Sequence, residues 1–252
     1  MDYAIDSKET LMTERFSASR AAQLMACPGS ANLELSIPGW TPPVVDPEKG
    51  AKGKGHTLHE FLQQTSEFSA KDLRNLSIAL AYVADLRSRR RFKVLAEVSR
   101  EATWLQARPK TTVDLVLYVQ DELHIIDWKT GKIPVFADDN EQGLFYALTY
   151  ADLAPKAKGA TIHIVQPWAA NDSFNGISSW YADTNTLMDF MQRAVDTEQQ
   201  IMAGSTKLNP SDNCKFCPAN PHTRGDKGYP LCPAMMQMMY PLTADEDEIL
   251  SL

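Results

Sequence analysis

The chain has no surplus of basic residues, no long apolar run and few cysteines. Among its 252 residues, 32 are acidic and 25 are basic, which gives a formal net charge of −7. That balance excludes a protein that coats nucleic acid by bulk electrostatics, although it is compatible with a locally basic groove. No apolar run approaches the roughly 20 residues that span a bilayer, and the polar segment 1–6 has no signal-peptide pattern. We therefore expect a cytoplasmic protein that has no membrane partner.

The cysteine content limits the kind of stabilisation that the chain can use. Four cysteines in a chain of this length are too few for a disulfide scaffold. Cysteines that cluster in an intracellular protein indicate metal binding or redox chemistry instead. The apolar fraction of 44% is enough for a substantial core, so we expect one domain with an appendage, or at most two domains.

Changes in composition divide the chain into four parts. These are an N-terminal arm and helix at 1–50, a core at 51–204, a segment rich in cysteine and proline at 205–240, and an acidic tail at 241–252. In the first part, a serine-capped helix is predicted at 17–26, and the Cys-Pro-Gly sequence at 27–29 is expected to end it.

Hydrophobic periodicity predicts the elements of the core. Apolar residues at three- and four-residue intervals predict helices at 51–68, 73–90, 140–153 and 184–202. Short β-branched segments predict strands at 94–98, 112–119, 122–129 and 160–165, and a two-residue turn joins the second strand to the third. The first three strands are expected to form an antiparallel meander. The whole core is predicted to be an α/β fold with a mixed central sheet and helices against its faces.

Two acidic residues lie in otherwise apolar strands. Asp114 is inside the second strand and Asp127 is near the end of the third, and the short hairpin allows their side chains to reach a common point. Lys129 follows Asp127 by two residues, which places both on one face of a strand. Paired carboxylates with an adjacent ammonium are what a metal-dependent phosphodiesterase requires. From these three residues alone, a hairpin that ends in a structural ion pair is an equal alternative.

The sequence around these residues resembles a known family. Asp114 followed by the run Ile-Ile-Asp-Trp-Lys-Thr-Gly at 125–131 is similar to the core motif of the PD-(D/E)XK nuclease superfamily, in the form used by its RecB-like branch. The resemblance extends from about residue 16 to residue 150. It implies a restriction-endonuclease-like core, a mixed central β-sheet flanked by helices.

Two further motifs and one acidic residue fall in the order that this branch has them. The run Gly-His-Thr-Leu-His at 55–59 resembles the Gly-x-x-x-His motif and favours His59 over His56 as a metal ligand. Gln142 and Tyr146 match the Gln-x-x-x-Tyr motif, and a spacing of four puts them on one helical face. Glu97 resembles an additional acidic residue found in many members.

The resemblance implies a role for each of these residues. His59, Asp114 and Asp127 would hold Mg²⁺ or Mn²⁺, with the backbone carbonyl of Trp128 as a further ligand. Lys129 would orient the attacking water. Gln142 and Tyr146 would position the DNA strand or the lysine, and Glu97 would act beside the metal ligands or hold a second metal ion.

The predicted function is therefore a metal-dependent DNA exonuclease, rather than an endonuclease, in recombination, end processing or phage DNA metabolism. Its expected substrate is linear DNA with free ends, and a recombination or annealing protein is a candidate partner. The expected setting is a bacterial or phage-infected cell. The alternative is a catalytically silent, nuclease-derived module that binds DNA or protein.

The cysteines have a spacing that suits metal binding. Cys214 and Cys217 form a chelating Cys-x-x-Cys pair, and Cys232 with either His222 or Cys27 would complete a zinc site. The resemblance favours a different group. Some RecB-like nucleases hold a four-iron four-sulfur cluster with one cysteine before the nuclease core and three after it, which is the order of Cys27, Cys214, Cys217 and Cys232. A structural zinc ion is the alternative cofactor.

One basic cluster is a candidate DNA contact. Five cations lie in seven residues before the first strand, namely Arg87, Arg89, Arg90, Arg91 and Lys93. In general such a cluster is a solvated helix end, but next to a phosphodiesterase site it becomes a reasonable contact for the DNA backbone. Trp104, Trp128, Tyr146 and Trp168 could offer stacking surfaces, although most tryptophans belong to the core.

Overall fold

The computed structural model describes residues 16–36, 70–217, 219–220 and 232–235. These residues belong to two compact units. The larger unit contains residues 17–19 and 70–192, and the smaller contains residue 16 and the described residues of 20–36 and 193–235. The helix predicted at 51–68 and the acidic tail lie outside the described residues.

The larger unit is built on a five-stranded sheet whose strands follow one another in chain order. The strands are β1 Lys93–Glu101, β2 Lys110–Val119, β3 Glu122–Trp128, β4 Gly159–Val165 and β5 Ile177–Asp183. All neighbouring pairs are antiparallel except β3 and β4, which are parallel. The sheet is therefore mixed, and the predicted α/β class and the β1–β2–β3 meander are confirmed.

Helices cover both faces of this sheet. They are α3 Ala70–Arg89, α4 Glu141–Tyr150 and the first part of α5 Thr184–Met202. Leu76, Ala79 and Leu86 of α3 join a buried cluster on one face. On the opposite face α4 lies so close that a Cβ on Gly143 would come within 2.5 Å of Ile162, which is why glycine is needed there. The parallel connection from β3 to β4 runs through α4, as parallel strands require a crossover.

Sequence patterns missed β5. This strand follows a turn at Gly176, whose φ of +85° suits glycine. Its residues alternate only weakly between buried and exposed because it lies at the edge of the sheet. An edge strand that is partly exposed on both faces has no clear apolar period, so β5 becomes recognisable only through its pairing with β4.

The smaller unit corrects the prediction for the N-terminal helix. The helix ends as expected, with α1 at Ala21–Ala26, but its cap residue is Arg20, whose side chain makes no capping hydrogen bond. The Cys-Pro-Gly sequence does not lead into a loop, because α2 Gly29–Leu35 begins there. Pro28 suits the start of a helix, where its missing N–H costs nothing. Gly29 is required because a Cβ would lie 2.6 Å from the carbonyl oxygen of Lys207.

No helix within the described ranges is both long and apolar enough to cross a membrane.

A chain of polar side chains lies on the α3 face of the sheet. The hydroxyl of Tyr82 lies 2.8 Å from Nδ1 of His163, and Nε2 of His163 lies 2.9 Å from Nδ1 of His124. Nε2 of His124 lies 3.5 Å from Glu122. Donation in one direction, from Tyr82 through both rings to Glu122, satisfies these contacts with both histidines neutral. Burial, with smaller contributions from His124 and Arg89, lowers the pKa of His163 to about 3.

We expect the free energy of unfolding to fall as the pH falls from 7 to 5. His163 is neutral in the fold but becomes protonated below its ordinary pKa of 6.5 when the chain unfolds, so the unfolded state binds more protons. This histidine should contribute up to about 1.4 kcal/mol of lost stability per pH unit. Urea unfolding at several pH values measures it, and His163→Gln should have a shallower slope. Equal slopes for the two proteins would contradict the expectation.

Candidate active site

Three carboxylates occupy one row across three neighbouring strands. The β2–β3 register pairs Leu115 with Ile126, so Asp114 lies opposite Asp127 at the next position. The residues on either side of Glu97 pair with those on either side of Asp114, which places Glu97 opposite Asp114 on β1. Because side chains alternate between the faces of a sheet, Asp114 and Asp127 belong to the same face, whereas the register fixes only the position of Glu97 opposite Asp114. Gln142 of α4 reaches Asp127 on that face.

The backbone at Glu97 is in an uncommon conformation. Its φ is +50°, in the left-handed region that residues other than glycine rarely adopt. Among the described residues, Arg108 and Asp139 are the other two non-glycine residues with positive φ. Such a conformation costs of order 1 kcal/mol or more and concentrates at functional sites. At Glu97 it falls in the middle of β1, within the carboxylate row.

Asp114 binds the backbone between Asp127 and Lys129. One of its carboxylate oxygens accepts a hydrogen bond of 2.6 Å from the backbone N–H of Trp128. The side chain of Trp128 is buried with Leu76 and Leu86 on the other face of the sheet. Asp114 therefore fixes the path of the chain from Asp127 to Lys129.

Lys129 is held between two acceptors. Its Nζ lies 2.8 Å from a carboxylate oxygen of Asp127 and donates to Oε1 of Gln142 at 2.7 Å. The backbone N–H of Lys129 donates to the carbonyl of Val165 at 3.0 Å, which anchors the start of the loop. The Asp127 side chain is only 4% exposed and that of Lys129 is 27% exposed. The lysine thus balances a buried carboxylate while its head remains accessible.

Gln142 connects the lysine, the carboxylate and the tyrosine. Its Nε2 donates to the hydroxyl of Tyr146 at 2.9 Å and approaches Asp127 at 3.3 Å. Burial, reinforced by the charge of Asp127, raises the pKa of Tyr146 well above its usual value. The phenol of Tyr146 therefore remains protonated at neutral pH.

Gln166 is a site residue that sequence reasoning missed. It follows β4, is 1% exposed, and its side chain donates to the carbonyls of Gly131 and Ile133 at 2.9 and 2.8 Å. Its oxygen accepts from the N–H of Val135 at 2.9 Å. A glutamine after an apolar strand gives no sequence signal for this role, because its partners are backbone groups of a loop more than 30 residues earlier.

Part of the basic cluster lies away from the carboxylate row. Arg90 forms ion pairs with Asp121 and Glu122 at the β2–β3 turn, at 2.7 and 2.6 Å. Five residues of β3, roughly 17 Å at about 3.3 Å per residue, separate Glu122 from Asp127. Arg89 is paired with Asp85 within α3. These two arginines therefore have carboxylate partners, and the proposed contact of the cluster with DNA stays a prediction.

The predicted aromatic stacking residues pack against other side chains, with Trp128 and Tyr146 buried and Trp104 and Trp168 half-buried. Trp104 lies against Phe145 and Phe190, and Trp168 packs with Trp128 in the cluster below α3. His59 and His56 lie outside the described residues, so the predicted histidine ligand is not placed.

The four cysteines lie around one cavity of the smaller unit. Cys27, Cys214, Cys217 and Cys232 line this cavity, which is partly open to solvent. Backbone N–H groups point at three of the sulfurs. Asn209 donates to Cys27 at 3.3 Å and Ser211 donates to Cys214 at 3.2 Å. The N–H of Ala219 bonds to Cys217, whose pKa is nevertheless raised to about 11, chiefly by burial.

Neither the carboxylate row nor the four cysteines are arranged as a complete metal site. Within residues 16–36, 70–217, 219–220 and 232–235, no three His, Cys, Asp or Glu side chains converge closely enough to hold an ion. The carboxylate of Asp127 instead contacts Lys129, and that of Asp114 binds a backbone N–H. None of these four cysteines is in a disulfide.

The chain belongs to the DUF2800 family, a family of proteins of unknown function. The family model matches residues 93–252, which include all five strands, the Asp114–Lys129 region and three of the four cysteines. The family description assigns no activity.

Comparison with solved structures gives low overall similarity. An alkaline exonuclease from Laribacter hongkongensis is 11% identical over 79% of this chain and 93% of its own, with a TM-score of 0.37. The same exonuclease in complex with dAMP gives 12% identity over 77% and 91%, also with a TM-score of 0.37. The functional assignment therefore depends on the site residues described above.

Proposed function

We propose that this protein is a metal-dependent DNA exonuclease of the PD-(D/E)XK type, RecB-like branch, active in recombination, end processing or phage DNA metabolism. The observation that carries the proposal is the row Glu97, Asp114 and Asp127 with Lys129 held beside it. Three strands contribute the acidic residues and Gln142 of α4 contacts the lysine, and burial of the Asp127 carboxylate is costly without this paired cation.

The donor chemistry of the row fits a hard divalent cation. Glu97, Asp114 and Asp127 offer the carboxylate oxygens that Mg²⁺ and Mn²⁺ prefer, and His59 with the carbonyl of Trp128 would complete the ligands. When bound, the metal would polarise the scissile phosphate and lower the pKa of a bound water.

The other residues of the site have separate roles. The ammonium of Lys129 would orient the attacking water and offset negative charge that develops on the phosphate. Gln142 would keep that ammonium beside Asp127, since its two side-chain ends contact both groups. Tyr146, protonated throughout, would hold Gln142 through its hydroxyl.

The cysteine cavity is proposed to hold a four-iron four-sulfur cluster. Its support is the shared cavity of four cysteines and the N–H groups directed at three sulfurs, because hydrogen bonds to sulfur are part of such sites. The cluster would join the 20–36 segment to the 205–235 segment of the same unit. Zinc bound by the same cysteines is the competing assignment.

We expect purified protein to digest linear DNA when Mg²⁺ or Mn²⁺ is added and to lose that activity in EDTA. The assay compares linear single-stranded, linear double-stranded and covalently closed circular DNA. Digestion of linear but not circular DNA would support an exonuclease, whereas cleavage of the circle would identify an endonuclease. If protein with its native cofactors cleaves none of the three, the nuclease proposal is wrong and the silent binding module is favoured.

A further inference from the structure

The loop at 130–140 exposes two large apolar side chains beside the candidate active site. It begins directly after Lys129 and ends at Asn140, the cap residue of the helix that carries Gln142. Ile133 is 80% exposed, the highest value among large apolar side chains within the described residues, and Phe136 is 56% exposed. Both flanks of the loop therefore belong to the site.

Ile133 and Phe136 are exposed although the backbone of their loop is held by hydrogen bonds. Buried Gln166 makes three hydrogen bonds to the backbone of residues 131–135. The N–H of Ala137 donates to the hydroxyl of Ser178 at 3.0 Å. The ring of Phe136 is tilted against that of Phe174, with 5.5 Å between the ring centroids. Polar anchors thus hold the loop in a conformation that leaves its apolar side chains in solvent.

We propose that Ile133 and Phe136 contact the nucleobases of an unpaired DNA strand next to the scissile phosphate. This inference rests on the proposed nuclease function and names the form of its substrate. Unpaired bases expose flat apolar faces on which aromatic side chains stack, whereas a duplex hides those faces between its base pairs. The single-stranded form is therefore the DNA that complements this loop.

The cations of this region lie at the start of the loop. Lys129 precedes the loop and Lys132 is exposed one residue before Ile133, whereas exposed Asp138 and Asp139 lie at its other end, so the strand would pass over the Lys129–Phe136 side. A groove that binds single-stranded DNA usually alternates cations, which bind the phosphates, with apolar groups, which bind the bases. A protein partner would also suit apolar side chains, but it would give no reason for their position between the residues of the catalytic site.

The test compares Phe136→Ala and Ile133→Ala with Tyr181→Ala, using protein with its native cofactors. Tyr181 is a matched control because it is an aromatic residue that is 54% exposed and lies on β5 outside the loop. For a short linear single-stranded oligonucleotide in Mn²⁺, Phe136→Ala should raise KM by roughly 5- to 100-fold, with a smaller change in kcat. Phe136→Leu should raise KM less, and Tyr181→Ala should match the wild type. Thermal melting checks that each variant is folded.

An abasic substrate shows whether the contact is made to bases. Wild-type protein should lose affinity for an oligonucleotide that carries abasic sites near its end, and Phe136→Ala should lose little more on that substrate. The inference would be overturned if Phe136→Ala lost as much affinity, relative to the wild type, on abasic strands as on normal strands. It would also be overturned if the KM of Phe136→Ala equalled that of Tyr181→Ala. Phe136→Ala could instead keep wild-type DNA kinetics but lose an oligomer or complex that the wild type forms in size-exclusion chromatography. That result would show that the loop docks on a protein and would also overturn the inference. In each of these outcomes the wild type still cleaves DNA, so failure of the inference is distinct from failure of the nuclease proposal.

Discussion

Replacing Lys129 with alanine is expected to reduce Mn²⁺-dependent cleavage of linear DNA by roughly 10²- to 10⁴-fold. The variant removes the only ammonium shown to contact both Asp127 and Gln142 among the described residues. Asp114→Ala should cause a similar loss, because it removes a proposed metal ligand and releases the backbone N–H of Trp128. Initial rates on an end-labelled linear substrate measure both effects.

Matched control variants show whether the loss of cleavage activity comes from the site residues or from any charged-to-alanine substitution. Lys158→Ala and Asp189→Ala remove exposed side chains of the same two types away from the carboxylate row, and they should retain wild-type rates. Circular dichroism and thermal melting show whether the site variants are folded. Undiminished activity in folded Lys129→Ala and Asp114→Ala would refute the proposed mechanism.

Replacing Cys217 with serine is expected to remove most of the iron from the protein. The wild type, purified without oxygen, should be brown and contain about four irons per chain. Cys217→Ser should fall below one iron per chain and should unfold more readily, because ligand binding contributes to the stability of the segments that it joins. Iron, zinc and acid-labile sulfide analysis, with the visible spectrum, measures the change.

A second residue of the same cavity gives the control for the cysteine variant. Met235 lines the cavity without offering a thiolate, so Met235→Ala should keep its iron. A colourless wild type with one zinc per chain, lost in Cys217→Ser, would contradict the cluster and support the zinc site. Iron retained in Cys217→Ser at the wild-type level would show that this cysteine is not a ligand.

The sequence was most informative where a pattern is local. The hairpin between β2 and β3 follows from two alternating strands around a two-residue turn, and α5 has the bounds 184–202 that its periodicity predicts. Gln142 and Tyr146 share a helical face because their spacing is four, and the structure places Gln142 in contact with Tyr146. These features depend on neighbours along one chain segment.

Features that depend on distant segments were missed or misread. The sequence ended the N-terminal helix at Ala26 and did not predict α2, which begins at Gly29 and packs closely enough to require glycine there. Trp128 is buried and Trp104 and Trp168 are half-buried against other side chains, whereas the aromatic residue exposed beside the site is Phe136. Burial of an aromatic side chain depends on what lies opposite, which its own sequence context does not record.

The sequence by itself determined the α/β class and the meander, because both are encoded by residue type and short-range spacing. It also predicts a phosphodiesterase site, from the strand positions of Asp114, Asp127 and Lys129 and, for the other residues, from the family resemblance. Only the tertiary structure decided that Glu97 lies in the same row as Asp114 and Asp127, that Gln166 fixes the loop after Lys129, and that four cysteines from distant segments share a cavity. These depend on strand register and on contacts between residues far apart in the chain, where the free energy of packing rather than local preference selects the arrangement.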